Sequence, residues 1–189
     1  MSAPPIWPLV LASRSPRRRD LLATAGISFT VRARDVEEVL APGEAPDAYA
    51  RRLARAKADA AWEDRDEIVL GADTIVVLER NVLEKPRDDA DARAMLERLS
   101  GREHTVITGI CLRHPRGSEV DSVATRVRFA PLTGAEIDAY VASGEPLDKA
   151  GAYAIQGLAS KFVERIEGCY FNVIGLPLSQ VYRYLKLLQ

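Results

Sequence analysis

Leu9-Val-Leu-Ala-Ser-Arg-Ser-Pro-Arg-Arg-Arg-Asp-Leu-Leu22 decides how the chain begins to fold. The apolar run Leu9 to Ala12 reads as a short buried strand, and Ser13, Arg14 and Ser15 make the turn after it. Ser15 is a good N-cap, Pro16 suits the first helical position, and Gly26 stops the helix after the apolar Leu21, Leu22 and Ala25. Arg14, Arg17, Arg18 and Arg19 crowd the positive end of the helix dipole, where each is unfavourable by about 0.3–1 kcal/mol. A helix N-terminus already offers free N–H groups to anions. The cluster therefore reads as a phosphate-binding turn; the plainer alternative is a solvated basic loop.

The 189 residues suit one large domain with a full core, with residues 1–8 as a loose N-terminal extension. Lysine plus arginine is 26 against 27 acidic residues, a net charge of −1, so neither a nucleic-acid polymer nor a membrane surface is an expected partner. Two cysteines, Cys111 and Cys169, make neither a disulfide framework nor a zinc site. No apolar run approaches the roughly 20 residues of a membrane span, and the start lacks a signal-peptide pattern. A cytoplasmic protein is expected.

Onward from the first helix, Ile27 to Val31 alternates like a strand. A helix is predicted from about Asp47 to Trp62, with an apolar stripe of Ala50, Leu53, Ala54, Ala60 and Ala61. Lys57 falls inside that stripe, where a lysine is either paired or reaching out to water. If Lys57 serves phosphates, Lys57→Met should cost activity while leaving thermal stability similar or slightly higher, because a desolvated charge is gone. Ile68-Val-Leu-Gly-Ala-Asp-Thr-Ile-Val-Val-Leu78 gives two buried strand runs around Gly71-Ala-Asp-Thr74. A carboxylate at Asp73 between them must meet a metal, a cation or several donors, unless it sits in a structural turn.

A hairpin at Glu79-Arg-Asn81 leads to Lys85-Pro86, and Asp88 to Leu99 forms a helix. Thr105 to Leu112 and Ser122 to Phe129 pair as strands, and Thr133 with Glu136 makes a capping box. Glu145 to Gly157 is too irregular for a plain helix, and such long segments are often functional. Phe162 to Ile166 is a further strand, and Pro177 starts a last helix with Leu178, Val181, Leu185 and Leu188 inward. Alternating strands and helices with hairpins indicate an α/β fold, a mixed twisted sheet flanked by helices.

The common nucleotide fingerprints and the serine-hydrolase elbow are absent. His104 and His114 have no metal-ligand spacing. What remains is a set of arginines, lysines and carboxylates with a glycine-rich segment, the residue types of phosphoryl chemistry. Hard oxygen donors such as Glu38 and Asp73 favour magnesium or manganese over zinc.

Ser13-Arg-Ser-Pro-Arg-Arg18, Gly71-Ala-Asp-Thr74, Leu83-Glu-Lys-Pro86, Leu99-Ser-Gly101, Ala150-Gly-Ala-Tyr-Ala-Ile-Gln-Gly157 and Gly175-Leu-Pro-Leu178 together resemble the Maf family. The motifs match in order over nearly the whole chain. The resemblance implies an inosine-triphosphatase-like fold of two lobes with a central cleft, in a homodimer, acting as a nucleoside triphosphate pyrophosphatase. It also implies that Ser13, Arg17, Arg18, Lys57 and Lys85 contact the triphosphate. Glu38 and Asp73 would serve a divalent metal and water, with Asp73 the proton acceptor.

Arg17, Thr74 and Gln156 match the branch that takes dTTP and UTP; a sister branch preferring 7-methyl-GTP carries tryptophan, glutamine and glutamate there. Arg14 departs from the family, where many members have a small residue. The expected activity is cleavage of dTTP and UTP to the monophosphate and pyrophosphate, clearing non-standard pyrimidine nucleotides. The alternative is a non-catalytic, nucleotide-binding regulator of cell division and septum formation. A second enzymatic alternative, dephosphorylation of sugar phosphates, would yield orthophosphate.

Overall fold

The structure, a computed structural model, describes residues 7–63 and 66–188; residues 1–6 of the expected N-terminal extension lie outside them. Its elements are β1 (Leu9–Leu11), α1 (Pro16–Thr24), β2 (Thr30–Val31), α2 (Pro46–Ala61), β3 (Ile68–Leu78), β4 (Asn81–Leu83) and α3 (Asp89–Leu99). They continue with β5 (Glu103–His114), β6 (Gly117–Phe129), α4 (Gly134–Val141), β7 (Val163–Glu167), α5 (Tyr170–Ile174) and α6 (Leu178–Leu187). Three short 3-10 turns, Glu145–Asp148, Ala150–Ala152 and Leu158–Phe162, fill the irregular segment and lead into β7.

The seven strands form one sheet in the order β2-β1-β3-β5-β6-β7, with β4 also paired to β3. β1 runs parallel to both β2 and β3, in register Val10 with Thr30 and Val10 with Val69. β4 is antiparallel to β3, and β7 is antiparallel to β6. The sheet is therefore mixed and flanked by helices, as the pattern of the sequence indicates.

Some local expectations change. β3 is one unbroken strand through Gly71-Ala-Asp-Thr74, since each of those residues keeps extended backbone pairing and a largely buried position. The alternating run after α1 pairs only at Thr30 and Val31, both exposed at the sheet edge. On α2 it is Ala58, not Ala60, that turns inward with Ala50, Ala54 and Ala61. The capping box of Thr133 and Glu136 forms in both directions. α5 has too few residues to carry a readable period.

The chain divides into two compact units. One comprises the described residues of Met1–Asp73, Thr108–Val123 and Gly175–Gln189, the other Thr74–Ile107 and Ala124–Ile174. Leu11, Leu22, Leu53, Ile68 and Leu70 are fully buried in the first. In the second, Phe129 meets His104, Tyr153 and Phe162 through ring contacts. No helix among the described residues is long and apolar enough to cross a membrane.

Candidate active site

A helix approaches a strand no closer than the side chains between them permit. α2 turns Ala50, Ala54, Ala58 and Ala61 inward, all fully buried. β3 and β5 answer with glycines. A Cβ at Gly71 would stand 2.1 Å from the Ala54 carbonyl oxygen and 2.7 Å from the Ala58 nitrogen. One at Gly109 would stand 2.2 Å from the Ala50 carbonyl oxygen. Backbone therefore lies directly against backbone.

Gly71 and Asp73 share one face of β3, and Lys57 lies one helical turn from Ala54 on α2. The close approach accordingly brings the two polar side chains together. Lys57 Nζ donates to Asp73 Oδ1 at 2.5 Å and stands 2.6 Å from Glu38 Oε1. The Lys57 and Asp73 side chains are only 15 % and 11 % exposed. Lys57 is thus the paired lysine of the two readings, and Asp73 a strand carboxylate that meets a cation.

The β1–α1 turn sits in the same unit. Ser15 caps α1 by accepting from the Arg18 N–H at 3.5 Å. The buried Ser13 Oγ accepts from the Ser15 N–H at 3.2 Å and from Arg18 Nη1 at 3.1 Å. Having accepted two bonds, this hydroxyl has its own proton left to donate. Arg18 Nε donates to the Gly175 carbonyl at 2.8 Å, which ties α1 to the segment before α6. Burial pulls the Arg18 guanidinium below the usual arginine value, while the charges of Asp73 and Glu38 oppose that loss and Arg17 adds to it. Arg17 is half-buried on α1. Arg14, the departure from the family pattern, is exposed and pairs bidentately with Asp35 at 2.7 and 3.2 Å.

The structure therefore brings Ser13, Arg18, Glu38, Lys57 and Asp73 together with the arginine turn. Thr74, Lys85 and Gln156 belong to the second unit. Thr74 follows Asp73 along β3 and faces the opposite side of the strand. Lys85 is exposed just beyond β4, where the Glu84 carbonyl accepts the Gly151 N–H at 3.1 Å. Gln156 is exposed in a turn closed by the Gly157 N–H on the Ala154 carbonyl at 3.1 Å, with Ile155 buried beside it.

Glu38 and Asp73 converge on one cation, the Lys57 ammonium, and both offer hard oxygen donors. That set fits magnesium or manganese, which bind through one or two carboxylates and complete their shell with water and substrate phosphates. Among the described residues no group of three or more His, Cys, Asp or Glu side chains could hold a metal. His104 serves packing: its Nε2 lies 2.8 Å from the Tyr153 hydroxyl, and burial pushes it down to about 4. His114 is buried and stacked on Trp7. Cys111 and Cys169 are free thiols, and burial pushes Cys111 up to about 12.

Sequence reasoning did not single out Gly71 and Gly109 as packing positions, nor the Gly175 carbonyl as the acceptor for Arg18. The alanine spacing along α2 was the available signal for the first two. The carbonyl carries none, because a backbone acceptor leaves no mark on the residue that bears it.

The Maf-like protein family model matches residues 8–188. The dTTP/UTP pyrophosphatase of Koribacter versatilis (strain Ellin345) is 51 % identical over 179 residues, 94 % of this chain and 93 % of that one. The dTTP/UTP pyrophosphatase of Anaeromyxobacter sp. (strain Fw109-5) is 54 % identical over 183 residues, 94 % of this chain and 88 % of that one. Among solved structures, the Staphylococcus aureus Ham1 protein aligns with a TM-score of 0.53 at 16 % identity, covering 96 % of this chain and 99 % of that one. A HAM1 protein from Coxiella burnetii aligns at 0.51 and 18 %, covering 96 % and 98 %. At such identities the likeness is one of fold.

Proposed function

This chain belongs to the Maf-like protein family, and from that premise we propose that it hydrolyses the α–β phosphate bond of dTTP and UTP. The products are the nucleoside monophosphate and pyrophosphate. The observation that carries the reading is the carboxylate pair of Glu38 and Asp73 on Lys57, set in one unit with a serine–arginine turn at a helix N-terminus. Relatives about half identical over most of the chain carry the name of that activity.

The residues take separate parts. Ser13, whose oxygen already accepts two bonds, donates its proton to a phosphate oxygen. Arg17 and Arg18 offset the charge of the phosphates, to which the helix N-terminus adds its own dipole. Lys85 supplies a further cation to the phosphates. Asp73 accepts a proton from the water that attacks the α-phosphorus, and the bond to the β-phosphate oxygen breaks as pyrophosphate leaves. Lys57 holds the Asp73 carboxylate in place for that transfer. Glu38 and Asp73 are the residues that would hold a divalent cation, which when bound neutralises phosphate charge and favours deprotonation of water. Thr74 and Gln156 would read the base.

We further infer a cytoplasmic setting, consistent with two free thiols, a homodimer, and a role in removing non-standard pyrimidine nucleotides. Sedimentation of the purified chain checks the dimer. For the reaction, dTTP, UTP, GTP and ATP are each incubated with magnesium or manganese, and both possible products are quantified. Pyrophosphate from dTTP and UTP is expected. Orthophosphate as the first product would point to a phosphatase. Binding without turnover would favour the non-catalytic regulator of division.

A further inference from the structure

The turn that carries Gln156 rests against one pair of side chains. Tyr140, on the last turn of α4, donates its hydroxyl to Glu145 Oε1 at 2.9 Å. The other Glu145 oxygen, Oε2, accepts the Leu158 N–H at 3.0 Å. Ala154 and Leu158 flank the turn, whose own closing bond runs from the Gly157 N–H to the Ala154 carbonyl.

Glu145 is itself well fixed. Its N–H donates to Ser143 Oγ at 3.3 Å, and its carbonyl accepts from Lys149 Nζ at 2.6 Å. The carboxylate lies so close to Gly157 that a Cβ there would stand 2.2 Å from Oε1, so the turn backbone rests directly on it. Ile155 is buried, which leaves Gln156 as the exposed residue at the corner of a turn closed by its own bond and seated on Glu145.

We propose that the Tyr140–Glu145 pair is a positioning device for nucleobase selectivity, fixing the direction in which Gln156 presents its amide. The inference rests on the assignment of Gln156 to base reading. A side-chain amide discriminates donor from acceptor edges only when its orientation is set, because a free amide can turn to suit either. Neither Tyr140 nor Glu145 is assigned any contact with the phosphates or the water, so their loss should fall on base choice.

The test is steady-state kinetics on dTTP, UTP and GTP for wild type, Glu145→Gln, Tyr140→Phe, Gln156→Ala and the pair Glu145→Gln with Gln156→Ala. Glutamine at 145 has one acceptor oxygen and cannot receive both the Tyr140 and Leu158 protons; phenylalanine at 140 removes a single oxygen. Each should lower kcat/KM for dTTP and UTP by about tenfold, mainly through KM, while GTP changes little. In the Gln156→Ala background, Glu145→Gln should shift the base ratio by less than about twofold, since nothing remains to be positioned.

An equal loss on all three nucleotides overturns the inference, as does full additivity with Gln156→Ala. A pyrimidine preference undiminished in both single variants overturns it while sparing the base-reading assignment. A wild type without pyrimidine preference overturns the assignment and the inference together. Should Glu145→Gln fail to fold, Tyr140→Phe decides the matter.

Discussion

The Lys57 ammonium stands 2.5 Å from Asp73 Oδ1 and 2.6 Å from Glu38 Oε1, so a single cation joins two carboxylates from a strand and an irregular segment. Two carboxylates that converge on one point repel each other unless a positive charge lies between them. Lys57 supplies that charge from a helix held against the strand by Gly71. The same geometry makes the pair a receptor for a divalent cation in competition with, or beside, the ammonium.

Lys57→Met should therefore be inactive and also less stable, in place of the similar or slightly higher stability expected of a desolvated lysine that only serves phosphates. Removing one partner of a largely buried pair leaves Asp73 uncompensated, at about 1–3 kcal/mol. Added manganese should recover part of that loss by binding the freed carboxylates. Thermal melts of both proteins with and without manganese check this. A variant as stable as wild type, with no manganese response, would remove Lys57 from its bridging role and the carboxylates from metal binding.

Asp73→Asn keeps the shape of the side chain and an oxygen for Lys57, but loses the proton acceptor. It should fold, still bind nucleotide and lose about 10²–10⁴ in turnover. Calorimetric titration beside a pyrophosphate assay separates binding from chemistry. Turnover near wild type would exclude Asp73 as the base.

How much of this was open to sequence reading follows from where each signal resides. The strand–turn–helix of Leu9 to Leu22 announces itself through an apolar run, a capping serine and a proline, and all three act locally. Lys57 on an alanine stripe and Asp73 within an apolar run each demand a partner, yet neither says which; their meeting depends on the close approach of α2 to β3. Glu38 lies in a segment without repeating pattern, so its chemistry as a hard oxygen donor singled it out while its position gave no sign of its partner. Arg18 reads in sequence only as one of four arginines at a helix N-terminus, and its burial and its bonds to Ser13 and Gly175 leave no mark there. That bond spans 157 positions of sequence and ends on a carbonyl. The break expected within β3 did not occur, because Gly71 there serves close packing.

Gly71→Ala tests that packing. Its Cβ would meet the Ala54 carbonyl oxygen at 2.1 Å and the Ala58 nitrogen at 2.7 Å, and backbone cannot step aside as a flexible side chain would. The variant should lose about 3 kcal/mol or more, and activity with it, through displacement of α2 and Lys57. Gly26→Ala is the control. Its φ of +68° is strained for alanine, but nothing lies within 4 Å, so about 1 kcal/mol is expected. Urea midpoints compare the two; equal losses would show that α2 moves away from β3 at little cost, so close approach does not govern Gly71.

His104 predicts a pH effect in the second unit. Burial holds its pKa down to about 4, so the folded protein keeps it neutral while the unfolded chain protonates near 6.5. More protons are then bound in the unfolded state, and stability falls as pH drops from about 6.5 towards 4. From pH 7 to pH 5 the loss from this one group is about 2 kcal/mol. His104→Gln, which keeps a partner for the Tyr153 hydroxyl, should show a smaller loss over the same interval. Identical pH dependence in the two proteins would mean that His104 accepts a proton in the folded state.

The choice of base is tested at Gln156. Its amide offers both donors and an acceptor, which suits the mixed edge of uracil or thymine, whereas glutamate offers acceptors only and suits the donor edge of guanine. A mismatched base leaves polar groups unpaired at about 1–3 kcal/mol each, roughly 5- to 150-fold in kcat/KM. Gln156→Glu should therefore lower kcat/KM for dTTP and UTP and leave or raise that for GTP. The competing account is that Gln156 only braces its turn. That account meets two facts: the turn is already held by Tyr140, Glu145 and its own Gly157–Ala154 bond, and the Gln156 side chain is exposed. A brace would slow all three nucleotides by a similar factor, so a dTTP to GTP ratio unchanged by Gln156→Glu would end the specificity assignment.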